Sequence, residues 1–150
     1  MCIKRKTNVG KIYKTTDGKF NNRPNIKKGR RVVAVHQRKD DNALAVTKLH
    51  SMKNSEEKGN GNKDIIPNLA LSPEKHLSLT KNTVVEKKII FGFKVDNTFY
   101  PIKAEDLTDT QDRLTNAELR KVKRGIQGDA RKHRKNYKRT LKKWKRHFSK

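Results

Sequence analysis

Side chains able to do more than pack are unevenly spread along this chain. Between Arg131 and Lys150 there are 11 Lys and Arg and no Asp or Glu, with Tyr137, Trp144 and Phe148 set among them. Cations in such a run can neutralise phosphates, and exposed rings beside them can stack on bases. Polyanion binding is therefore the first chemistry on offer, carried by Arg131, Lys132, Arg134, Lys135, Lys138, Arg139, Lys142, Lys143 and Arg146. Electrostatics alone does not separate RNA from DNA. His36, His76, His133 and His147 show no metal-ligand spacing, and the lone Cys2 supplies neither paired zinc ligands nor an intrachain disulfide. No metal is expected. Gly59 and Gly61 sit in a polar stretch rather than between a strand and a helix, and no GxGxxG or Walker-type loop occurs, so no nucleotide cofactor is expected either.

Composition agrees with a polyanionic partner. The chain has 150 residues, 39 Lys and Arg against 15 Asp and Glu, a formal charge of +24 and only 31% hydrophobic residues, which suits one small domain with a basic appendage. The charge is concentrated late: residues 115 to 150 hold 15 basic and 2 acidic residues. So many like charges repel until counterions or phosphates neutralise them, which places nucleic acid first and an anionic membrane surface second. The longest apolar runs, such as Ile89 to Phe91, are far too short to cross a bilayer. The opening MCIKRK is basic without the apolar stretch of a secretory signal, so the expected location is the cytoplasm.

Something must hold these cations in place. Short β-branched clusters at Lys11 to Tyr13, Arg31 to Val35, Ala43 to Leu49, Thr83 to Val85, Ile89 to Phe93 and Thr98 to Ile102 predict five or six strands, hence a mainly β fold, a small barrel. Asp17-Gly18, Gly29, Asp40-Asp41-Asn42 and Asp96-Asn97 supply the turns. Residues 53 to 63, KNSEEKGNGNK, predict a solvated loop, and Ser72-Pro73-Glu74 predicts one short helix. Thr115-Asn116-Ala117-Glu118 fits a capping box. From there Leu119, Val122, Ile126, Ala130, His133, Tyr137, Leu141, Trp144 and Phe148 recur at steps of three or four, an apolar stripe on an otherwise basic helix. Membership of that stripe makes packing the first expectation for the rings and base stacking the second. Gly125 and Gly128 weaken the helix and Asp129 can cap another, which leaves one bent helix or two. The barrel is thus expected over residues 1 to 114 and the basic helical extension over 115 to 150.

Taken in order, these pieces resemble the MazF and PemK-like family of toxin endoribonucleases. VGKIY at 9 to 13 is similar to the family's opening strand, KGRRVVAV at 28 to 35 to its second and NALAVTKLHS at 42 to 51 to its third. LSLTKNTVVEKKII at 77 to 90 resembles its turn and buried strand, and LTNAELRKVKRGI at 114 to 126 its closing helix. The resemblance implies an SH3-like barrel, metal-independent cleavage of single-stranded RNA, a homodimer and an acidic antitoxin as partner. By position it makes Arg30 the cation at the phosphate and places His50 or Ser51 where a hydroxyl residue ends the third strand. His50 is then the proton-transfer group and Ser51 an orienting one, with Arg31 and Lys48 as neighbouring nucleic-acid contacts. Arg31 stands where the family usually has proline, and IIFGFK at 89 to 94 lacks the family's usual strand ending. A non-catalytic RNA- or DNA-binding accessory protein on the same fold is the rival expectation, and a helix that docks a membrane or protein partner is the third.

Overall fold

A computed structural model describes residues 8–16, 29–39, 41–51, 64–66, 69–95, 98–128 and 131–147. The loop expected at 53 to 63 and the ring of Phe148 lie outside them. The chain is an α+β protein, mostly β: strands β1 (Lys11–Thr16), β2 (Gly29–Gln37), β3 (Leu44–Ser51), β4 (Thr83–Ile90), β5 (Gly92–Val95), β6 (Thr98–Pro101) and β7 (Thr108–Arg113) precede helices α1 (Asn116–Gln127) and α2 (Arg131–His147). Five strands form one antiparallel sheet in the order β4-β3-β2-β1-β7, and β5 with β6 forms a separate hairpin. Where a short helix is expected at Ser72, the chain instead makes a single turn, with the Lys75 and His76 amides donating to the Ser72 carbonyl. The apolar period fails after that turn, so nothing propagates it.

Alternation along the strands gives the sheet two apolar faces. On one, Ile12, Val33, Val35, Leu49 and Val85 meet Leu119, Val122 and Ile126 of α1 together with Ile66, Leu69, Leu71 and Leu79. On the other, Tyr13, Val32, Ala34, Leu44 and Val46 meet Phe93, Ile102 and Leu107. A helix therefore covers the first face and the β5–β6 hairpin covers the second.

Two irregularities adjust this frame. The pairing of β2 with β3 slips between Ala34 and His36, so one extra residue turns both Val35 and His36 toward the helical face. A second slip, in β4 opposite Thr47 and Leu49, leaves carbonyls that Thr47 Oγ1 reaches, 2.5 Å from Glu86 O and 3.1 Å from Lys88 O.

The capping box forms as the sequence predicts: Thr115 Oγ1 accepts from the Glu118 amide at 3.1 Å, and Glu118 Oε1 accepts from the Thr115 amide at 2.9 Å. Thr115→Ala should lower stability by about 1 kcal/mol, the usual worth of an N-cap, measured as a shifted urea midpoint with an unchanged slope. The two glycines in the helical stretch have separate reasons. A Cβ on Gly125 would lie 2.9 Å from Ile66, so the position stays bare to let residues 64–66 close on α1. Gly128 ends α1 at φ 73, a conformation that resists other residues, and α2 starts afresh beyond it. The helical stretch is thus two helices.

Candidate functional site

Register decides which of the sequence-chosen residues meet. Arg30 pairs with Thr15 of β1, and one step past the pairing of Arg31 with Leu49 it lies beside His50 of β3. Val32 pairs with both Tyr13 and Lys48, so strict alternation puts Thr15, Arg30, Lys48 and His50 on the hairpin face of the sheet, just beyond the part the hairpin covers. All four are partly exposed. Arg31 and Ser51 share the parity of Leu49 and point to the helical face. The sheet thus brings Arg30, Lys48 and His50 together and sends Arg31 and the Ser51 side chain to the other side.

The local geometry supplies an oriented base beside a fixed cation. Arg30 Nη1 donates to the Leu49 carbonyl at 3.4 Å, which holds its guanidinium across β3. His50 Nδ1 lies 3.3 Å from the Ser51 carbonyl, and a carbonyl only accepts, so the proton of the neutral ring sits on Nδ1 and Nε2 keeps its lone pair. Ser51 contributes through its backbone rather than its hydroxyl. Sequence reasoning missed Thr15 and Tyr13, whose Oγ1 and Oη lie buried on this face without a hydrogen-bond partner among the described residues. Burial, then Asp109, pushes the Tyr13 phenol up to about 12, so it stays a donor. Only the pairing of β1 with β2, invisible before folding, sets Thr15 across from Arg30, whereas Tyr13 pairs with Val32.

The cations of α2 form a second, larger surface. Arg131, Lys132, Arg134, Lys135, Lys138, Arg139, Lys142, Lys143 and Arg146 are all exposed, along about 25 Å of helix. Tyr137 and Trp144 are 8% and 5% exposed, so packing, not base stacking, is their role. Trp144 and Leu141 lie against Ala43, Ala45 and Phe91, and the Tyr137 hydroxyl hydrogen-bonds to His36 on the β2 bulge. The strongest anchor is Arg38, a side chain that the sequence does not single out. Its guanidinium is 1% exposed, grips both oxygens of Asp41, donates to the Trp144 carbonyl at 2.7 Å and lies 5.0 Å above the Trp144 ring. The only hint in the sequence is an Arg and an Asp three residues apart.

Two histidines, His76 buried and His36 partly buried, tie the helices down with opposite acid dependence. His76, 1% exposed, places Nδ1 3.0 Å from Asp112 Oδ1 and Nε2 3.0 Å from Glu118 Oε1, joining its turn to β7 and α1. Burial pulls its pKa down, but hydrogen bonds and charge from Asp112 and Glu118 outweigh that and raise it above the ordinary 6.5. Burial, then Lys123 and Lys145, lowers His36 from the same value to about 4. The stabilisation from His76 is complete below pH 6.5 and fades as pH rises through its raised pKa; that from His36 is complete above 6.5 and fades as pH falls toward 4. His76→Gln should therefore flatten the alkaline side of the stability curve and His36→Gln the acid side, read as urea midpoints across pH 4 to 9.

Among the described residues no group of three or more His, Cys, Asp or Glu is placed to hold a metal ion, and no helix is long and apolar enough to cross a membrane. Comparison with protein-family models, with curated proteins and with solved structures finds no match to this chain.

Proposed function

We propose that this chain binds single-stranded RNA on the hairpin face of its sheet and cleaves it there, with the sheet and hairpin forming an SH3-like barrel of the MazF and PemK type. The observation that carries the reading is the adjacency of Arg30 and His50 on neighbouring strands of one face, with Lys48 beside them. Cleavage by transesterification needs a base for the ribose 2′-hydroxyl, a fixed cation for the charge that builds on phosphorus and a proton for the leaving 5′ oxygen. His50 Nε2 takes the 2′ proton. The new bond from the 2′ oxygen to phosphorus forms as the bond to the 5′ oxygen breaks, leaving a 2′,3′-cyclic phosphate. Arg30 neutralises the developing charge, and water or protonated His50 returns a proton to the 5′ oxygen. The exposed cations of α2 hold flanking phosphates and raise the rate of encounter.

The test is incubation of the purified protein with an unstructured RNA in EDTA, beside the same strand carrying one 2′-deoxyribose at each cleaved position. Cleavage to cyclic phosphate ends that stops at the deoxy positions supports the reading; equal cutting of both strands refutes it. One observation favours a second reading. The Ser51 hydroxyl lies on the opposite face and leaves the patch without the hydroxyl residue that the family resemblance implies. Tight binding with no digestion assigns the chain to the non-catalytic role, an RNA- or DNA-binding accessory protein.

A further inference from the structure

The rings of Tyr13, Phe93, Tyr137 and Trp144 are buried, whereas Phe99 and Tyr100, adjacent on β6, are 43% and 50% exposed. Consecutive residues of a strand project to opposite sides, so the two exposed rings flank a single edge. Phe99 is also fixed in place: a Cβ on Gly92 would lie 2.5 Å from its Cε1 and Cζ atoms, so the ring rests on the bare backbone of the facing strand. Tyr100 pairs with Phe93, whose side chain packs with Tyr13, Val32 and Val46 on the face that continues to Arg30, Lys48 and His50. Tyr100 therefore shares the face of Phe93, toward the sheet, and Phe99 takes the opposite face with Gly92, on a hairpin that lies on the side of the sheet to which Arg30, Lys48 and His50 point.

We infer that Phe99 and Tyr100 are a stacking platform for the bases of a single-stranded nucleic acid whose phosphates lie on the adjoining cations. Every base has a π face, so such a platform binds without reading sequence, while the net charge of +24 supplies the attraction for the backbone. Rings on both sides of one edge suit a strand with splayed bases. A duplex keeps its bases stacked on each other and gains nothing from them. The inference rests on the nucleic-acid-binding reading and adds which side chains select single strands.

Fluorescence anisotropy with a labelled, unstructured RNA, alone and annealed to its complement, tests it in wild type, Phe99→Ala and Tyr100→Ala. Each substitution should weaken single-strand binding about tenfold and leave duplex binding unchanged. The exposed positions allow folding to be checked by an unaltered urea midpoint. Equal single-strand affinity in wild type and variants removes the platform while the binding reading stands. Equal losses for single strand and duplex also overturn it, and so does loss of a wild-type dimer in sedimentation with RNA affinity intact. If wild type binds neither form at low salt, the underlying reading falls and the platform with it.

Discussion

Arg38→Ala is expected to cost about 3 kcal/mol of stability, at the lower end of what breaking a buried ion pair costs, because Asp41 keeps Lys103 as a partner at 3.6 Å. Three contacts vanish together: the two-pronged grip on Asp41, the donor to the Trp144 carbonyl and the cation over the indole. Trp144 sits near the end of a helix whose ten Lys and Arg face no acidic residue within it. Like charges four residues apart destabilise a helix by about 0.2–0.5 kcal/mol per pair, so α2 depends on its anchors to stay formed. The variant should lose helical circular dichroism before the sheet melts. Its acid response changes as well. The hydrogen bond from Arg38 holds the Asp41 carboxyl down at about 2, so its stabilisation is present above the ordinary 3.8 and lost as pH falls toward 2. That loss should shrink in the variant. A melting curve that superimposes on wild type would show that Arg38 does not hold α2.

The second large effect is on chemistry rather than folding. Arg30→Ala should slow RNA cleavage about 100- to 1,000-fold, the usual consequence of removing a group that meets transition-state charge. His50→Ala should cost about 100- to 10,000-fold by deleting the base. Both residues are partly exposed and outside the apolar clusters, so the urea midpoint should hardly move. Ser51→Ala is the control: its hydroxyl points to the helical face, while its carbonyl, which orients His50, survives the substitution. Its rate should stay near that of wild type. If Ser51→Ala is as damaging as His50→Ala, the placement of the chemistry on the hairpin face is wrong.

These expectations show what a sequence can and cannot carry. Strands β1 to β6 are legible because β-branched clusters and turn residues are local signals, whereas β7, TDTQDR, holds no apolar residue and escapes them; the capping box at Thr115 is legible because its partners lie three residues apart. The break at Gly128 is one of the two outcomes that the sequence allows, since glycine permits a helix end without dictating it. The stripe through Tyr137 and Trp144 indicated packing, and both rings are buried. What stayed hidden depends on pairing between distant segments. The bulge that turns His36 toward Tyr137 adds one residue to β2, which no local pattern marks. His76 meets Asp112 and Glu118 across 36 and 42 residues, and Arg38 meets Trp144 across 106. In the candidate site, Arg30 and His50 could be chosen from the sequence, but the face each occupies follows from register. Register is also what separates Ser51 from them.

The central claim is that this protein holds a nucleic acid through fixed cations, and the dependence of affinity on salt measures it most directly. Each phosphate neutralised on a single strand adds about −0.7 to the slope of log K against log salt. Engagement of four or five cations from Arg30, Lys48 and the exposed face of α2 therefore predicts a slope of about −3, reduced by about half when Lys138, Arg139, Lys142 and Lys143 are changed together to Gln. A slope near zero, or no measurable affinity for any oligonucleotide at low ionic strength, would contradict the account.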